Sequence, residues 1–235
     1  MANTSTPQNT TTDDYYRGIE AATDHKLLER LKTRSSLTDD APRLVLVMVG
    51  LPARGKSFIA HKLLAYFSWS GLKTSIFNAG AARRRQTSSD DLVAKSGYAF
   101  FDPSDTEARL AREAIAMSTL DDLLEWLFAA QNGVGIFDAT NSTRARRKAC
   151  VERIEAAGKR AGGKVAIVFV ESLCDDAMVI EANLLNKVRN SPDFAGKDEA
   201  AALDDMRRRV SLYEDSYETV CDEEGPYVKL HNLSA

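Results

Sequence analysis

Residues 50–57, Gly50-Leu51-Pro52-Ala53-Arg54-Gly55-Lys56-Ser57, fit the spacing G-x-x-x-x-G-K-[ST] throughout. That spacing suits a polyphosphate cradle. Glycine is needed where a side chain would keep phosphate oxygens from the backbone N–H groups. The lysine brings a point charge to the β- and γ-phosphates, and the serine hydroxyl is an oxygen donor for Mg²⁺. An ordinary glycine turn with a surface lysine is the bland alternative, but it does not require a strand before the loop and a helix after it. Both are legible: "RLVLVMV" precedes, and the helix opening at Lys56 adds its positive dipole end. Asp138 closes a second apolar run, "VGIFDAT", where a carboxylate can hold the metal directly or through water. Its alternative use is to cap the next helix, a task Ser142 or Thr143 could also perform.

A phosphoryl acceptor that is itself phosphorylated needs further cations, and forked guanidinium groups suit that task. The chain offers "ARRR" at 82–85, Arg112, "RARR" at 144–147 and "RRR" at 207–209. Most arginines in such clusters cover solvated faces. Two clusters follow strand ends, which singles out Arg83 and Arg146. Arg209 and Tyr213 share a helical face, although Tyr213 also fits a core stripe.

The elements that must position these groups alternate from Arg43 onward. Strands are expected at 43–49, 73–78, 134–140, 164–172 and 227–232. A helix follows the cradle with an apolar stripe of Phe58, Leu63, Leu64 and Phe67, and stops near Gly71. Ser104 and Glu107 stand at capping-box spacing before a long helix that runs to Asn132-Gly133. A basic helix at 143–157 should close at Gly158, and another spans about 176–189 before a Ser191-Pro192 turn. The last helix carries Met206, Val210, Tyr213, Tyr217 and Val220 on one stripe. Repeated strand–helix units imply parallel strands with helices on both faces, and ligands then gather beyond the carboxyl ends of the strands. Gly50–Ser57, Asn78–Arg85, Asp138–Arg147 and Glu171–Asp176 all follow such ends.

A net charge of −3 gives no global case for nucleic acid as a partner. No apolar run approaches the ~20 residues that span a bilayer, and the N-terminus lacks a signal-peptide pattern. Three cysteines cannot all pair and have no metal-site spacing, so reduced thiols in a cytoplasmic enzyme are expected. The first dozen residues, rich in Thr and Asn, are expected to be a disordered tail within a flexible or accessory segment, 1–40.

In this order, "VMVGLPARGKS", "FNAG" with Arg83-Arg84, "GYAFFDP", "FDATNSTRARR", "ESLCDD", "NSPDF" and "RRVSLYEDSYE" resemble the kinase half of the 6-phosphofructo-2-kinase/fructose-2,6-bisphosphatase family, from about Arg43 to Lys229. The resemblance implies a P-loop NTPase-type, three-layer α/β domain over 41–235, with a mainly parallel sheet. It implies transfer of the ATP γ-phosphate to the 2-hydroxyl of fructose 6-phosphate, with Mg²⁺. Gly50, Ala53, Arg54, Gly55, Lys56, Ser57 and Phe58, with Cys174 and Asn183, would serve the nucleotide. Ser57 and Asp138 would serve the metal, Lys56 and Asp138 the chemistry. Arg83, Arg112, Thr140, Arg146, Arg209 and Tyr213 would hold the sugar phosphate.

The chain departs from the family pattern at two places. A bulky residue before the paired arginines is Ala82 here, and the family lysine before the Ser-Pro-Asp turn aligns with Val188. Lys187 and Arg189 flank it. Lys187 shares a helix face with Asn183, whereas Arg189 points roughly 200° around the helix, so Lys187 is expected to carry the charge toward the substrate. None of His25, His61 and His231 sits in an Arg-His-Gly-type motif, so no bisphosphatase activity is expected of this chain. Neither a nucleic acid nor a membrane partner is expected, and a homodimer is the candidate assembly. The rival readings are a P-loop polynucleotide 5′-hydroxyl kinase and a nucleotide-binding regulatory module without transfer. Intact Lys56, Ser57 and Asp138 argue against the second.

Overall fold

The computed structural model describes residues 43–86, 97–102, 104–130 and 133–232. The expected N-terminal segment, 1–40, and Asn132 at the foreseen helix stop lie outside the described residues. Short apolar runs build β1 (Arg43–Val49), β2 (Thr74–Asn78), β3 (Gly133–Asp138), β4 (Ala166–Leu173) and β5 (Tyr227–His231), the central ones continuous because both of their faces are covered. They form one sheet in the order β2-β3-β1-β4-β5, every pair parallel. This is a P-loop NTPase-type α/β fold.

The two-residue period of β1 sorts its side chains between the faces. Val45, Val47 and Val49 join Leu120, Leu123, Leu124 and Leu127 of α3 (Thr106–Ala129) and Cys150 and Ile154 of α4 (Arg144–Arg160). Leu46 and Met48 face the other way, onto Ile59 and Ala60 of α1 (Lys56–Trp69). A third apolar cluster joins α5 (Ala177–Asn190) to α6 (Glu199–Glu214) through Leu184, Val188, Phe194, Met206 and Val210. The short α2 (Ala79–Gln86) follows β2 directly. Among the described residues no helix is long and apolar enough to cross a membrane.

Several sequence expectations shift. Phe58 leaves the expected α1 stripe and is 58% exposed, because Ile59 and Ala60 take the inward face. Asp105, not Ser104, caps α3 by accepting from the Ala108 amide; Ser104 instead bonds Asp102. Gly158 lies inside α4 rather than closing it, and it is glycine for another reason: a Cβ there would come within 2.8 Å of the Gly163 carbonyl, where the chain folds back after the helix. The α6 stripe ends with Tyr213: Tyr217 and Val220 lie beyond the helix, where the Tyr217 hydroxyl and the Val220 amide donate to the buried Glu171 carboxylate.

Candidate active site

The carboxyl ends of β1, β2 and β3 open onto a cavity of about 1020 Å³. That is at the upper end of the roughly 300–1,000 Å³ typical of ligand pockets, enough for a nucleotide with a second small substrate. Pro52–Phe58 without Arg54, Asn78–Gly80 with Arg83 and Arg84, Asp138–Thr143 with Ala145 and Arg146, and one face of α5 and α6 supply most of its walls.

The cradle is preshaped. Its backbone passes through the left-handed region at Ala53 (φ 60) and Gly55 (φ 86), and strain of this kind persists where surrounding contacts hold it. Asn183 of α5 is one such contact, its side-chain amide donating to the Ala53 carbonyl at 3.1 Å. Gly50 is glycine for a reason other than phosphate approach: a Cβ there would come within 2.6 Å of the Ser172 carbonyl on β4. Its own N–H donates to Thr140, tying the cradle to the end of β3.

Lys56 arches back so that its ammonium donates to the Leu51 carbonyl at 2.6 Å. Burial first, then Lys187 and Arg54, press its pKa down from 10.5 to about 7 against the pull of Asp138. Ser57 donates its hydroxyl to Asp138 Oδ2 at 2.7 Å, and the Asn78 amide donates to the same oxygen at 2.5 Å. Asn78 Oδ1 accepts from the Ala81 amide, which fixes which end of its side chain faces Asp138. Asp138 is not a helix cap, since Thr143 caps α4. Ser57 and Asp138 are hard oxygen donors and fit Mg²⁺, which takes few protein ligands and completes its shell with phosphates and water. Among the described residues no group of three or more His, Cys, Asp or Glu side chains gathers to make a protein-only metal cage.

The arginines foreseen for the sugar phosphate converge on the same cavity. Arg83 donates to Asp193; Arg209 donates to Asp193 at 3.2 Å and pairs with Asp205 at 2.6 Å. Arg112 bonds the carbonyls of Phe100 and Asp102, and burial lowers its pKa. Arg146 donates to Glu113 at 2.5 Å. Tyr213 faces Phe101, ring centroids 6.0 Å apart, and Thr140, Phe58 and Lys187 also line the space.

Val188 is buried in the apolar cluster, so no charge can sit there. Lys187 lines the cavity; desolvation lowers its pKa, partly opposed by Asp138 and reinforced by Arg84. Arg189 lies on the other side of α5, paired with Glu199 in solvent.

The structure leaves three foreseen residues out of the cavity lining: Gly50, Arg54 and Cys174. Arg54 turns toward Glu214 of α6, 3.1 Å away, and Cys174 lies in the turn that leads to the Asp176 cap of α5. No residue of Glu171–Asp176 lines the cavity: Glu171 fastens residues 217–220, while Ser172 supports the cradle from behind, its hydroxyl donating to the Arg54 carbonyl. Asn78, Phe101, Glu113 and Asp193 were missed as individual site residues. For Asn78 a signal existed in its place at a strand end, but its pairing opposite Asp138 follows only from β2–β3 register.

A protein-family model described as 6-phosphofructo-2-kinase matches residues 32–235. A probable 6-phosphofructo-2-kinase of Schizosaccharomyces pombe is 40% identical over 195 residues, covering 81% of this chain and 28% of its own length. 6-Phosphofructo-2-kinase 1 of Saccharomyces cerevisiae is 37% identical over 196 residues, covering 83% of this chain and 23% of its own. The 6-phosphofructo-2-kinase/fructose-2,6-bisphosphatase 1 of Rattus norvegicus is 37% identical over 184 residues, covering 78% and 36% respectively. The chain therefore spans a minor part of each relative's length.

Proposed function

We propose a reaction from one premise: the chain belongs to the 6-phosphofructo-2-kinase family. Residues 41–235 act as an ATP-dependent sugar-phosphate kinase that moves the γ-phosphoryl group to the 2-hydroxyl of fructose 6-phosphate. The products are ADP and fructose 2,6-bisphosphate. One observation carries the reading: the cavity whose wall holds the Ser57–Asp138 pair also collects Arg83, Arg112, Arg146 and Arg209.

The cradle amides and Lys56 hold the β- and γ-phosphates, and Phe58 and Asn183 border the nucleotide's space. Ser57 and Asp138 would hold Mg²⁺, which would supply charge neutralisation. The arginines and Tyr213 hold the phosphate already on the sugar, which brings its 2-hydroxyl in line with the γ-phosphorus. The hydroxyl oxygen forms the new P–O bond as the bond to ADP breaks, and the hydroxyl proton passes to Asp138. Such a loose transition state asks mainly for position and for charge on the equatorial oxygens, which Lys56 and Lys187 supply. Cationic side chains outnumber carboxylates along the cavity, as two phosphorylated substrates require. A cytoplasmic location and freedom from nucleic-acid and membrane partners complete the reading.

The test is acceptor-dependent ADP release with ATP and Mg²⁺. Fructose 6-phosphate should stimulate it, and an oligonucleotide 5′-hydroxyl should not. The reverse ranking, or no stimulation by either, would overturn the assignment.

A further inference from the structure

The arginine cluster contains a carboxylate to which the proposed reaction gives no role. Asp193 accepts from Arg83 of α2 and from Arg209 of α6 on the same oxygen, Oδ2. Its side chain is 11% exposed, and that of Arg209 only 4%. Both guanidinium groups also lie against one ring: Arg83 is 5.4 Å and Arg209 4.6 Å from the Phe101 centroid.

The turn that presents Asp193 is rigidly placed. Ser191 Oγ accepts from the Asp193 amide, Pro192 fixes the first position, and Phe194 is buried among Leu184, Met206 and Val210. The Phe194 ring also lies 4.9 Å beneath the Arg209 guanidinium. A side chain held this way is preorganised rather than caught in passing.

We propose that Asp193 is a positioning residue for the acceptor: it holds Arg83 and Arg209 together as one receptor for the phosphate of the sugar. This rests on the function proposed above. Two cations from different helices, crowded on one aromatic ring, repel each other; Asp205 also neutralises Arg209, at 2.6 Å, but Asp193 bonds both guanidinium groups and ties one to the other. A guanidinium carries about five N–H donors, so a bond to Asp193 does not exhaust either arginine's capacity to bind phosphate. The opposite role, a carboxylate that competes with the incoming phosphate, predicts the opposite sign.

Steady-state kinetics on D193A and D193N, with each substrate varied, separates them. D193A should raise KM for fructose 6-phosphate by about 10- to 100-fold, by analogy with the loss when a group that orients a metal-binding side chain is removed. KM for ATP should stay within about threefold, since its phosphates meet the cradle instead. D193N keeps one acceptor oxygen and should fall between wild type and D193A; it also decides the matter if D193A fails to fold in a thermal melt. Equal rises in both KM values, no change, or a lower KM for fructose 6-phosphate would overturn the inference. A wild-type protein that turns over no fructose 6-phosphate would bring down the proposed function, and this inference with it. An active wild type matched by both variants would remove this inference alone.

Discussion

Lys56 allows a test that needs no variant. Burial, Lys187 and Arg54 outweigh Asp138 and hold its pKa at about 7 instead of 10.5. At pH 8 a group with that pKa is mostly neutral, yet the nucleotide's phosphates favour the ammonium. ATP binding must therefore draw in a proton, a larger fraction of one per nucleotide above pH 7 than below it. The sign follows from the direction of the shift. A cation whose pKa is depressed favours its neutral form in the empty site, so ATP affinity weakens as pH rises through 7, approaching about tenfold per pH unit above it. In the unliganded protein the same depression costs stability in full below pH 7, and the cost fades as pH rises toward 10.5. Titration calorimetry at pH 8 in two buffers of different ionisation enthalpy counts the protons directly. Zero uptake, or release, would refute the account of Lys56.

The remaining predictions concern single side chains. Lys187→Ala should cut turnover of fructose 6-phosphate by about tenfold or more, as loss of a cation aimed at developing phosphate charge does. Arg189→Ala should stay within about twofold, since a solvent-exposed pair contributes little; kinetics showing the reverse ranking would refute the assignment of Lys187. Arg147 is fully buried, with both Glu224 oxygens within 2.8 Å and the carbonyls of Asn141 and Glu218 also bonded. Arg147→Ala empties a fully buried site and leaves the Glu224 carboxylate without its cation, with the Cys221 amide and thiol still donating to it, at a cost of about 3–5 kcal/mol. The melting temperature should fall by roughly 6–20 °C for a domain of this size; a melt within about 2 °C of wild type would contradict it.

The parts of this molecule legible in sequence were those written in local pattern. Strand–helix alternation fixed the parallel sheet, and one eight-residue motif located the cradle, because both depend on neighbours along the chain. The stretch "RARR" shows where local pattern stops: its arginines look alike, yet Arg146 lines the cavity while Arg147 is wholly buried against Glu224. That division depends on which side of α4 meets the chain after α6, a long-range fact. Lys187 could be preferred over Arg189 from helix geometry alone, because Asn183 on the same face supplied a reference. Asp193 had no such reference; its meaning comes from two arginines far away in sequence. Cys174 was placed by resemblance, and the turn after β4 carries it out of the cavity lining.

Phosphoryl transfer to the 2-hydroxyl of fructose 6-phosphate can be read from phosphorus NMR of the purified product. Incubation with ATP and Mg²⁺ should give a bisphosphate whose new phosphorus resonance is coupled to the anomeric C2 and is lost on mild acid treatment. A product phosphorylated at any other carbon, or ADP formed with no new sugar phosphate, would contradict it.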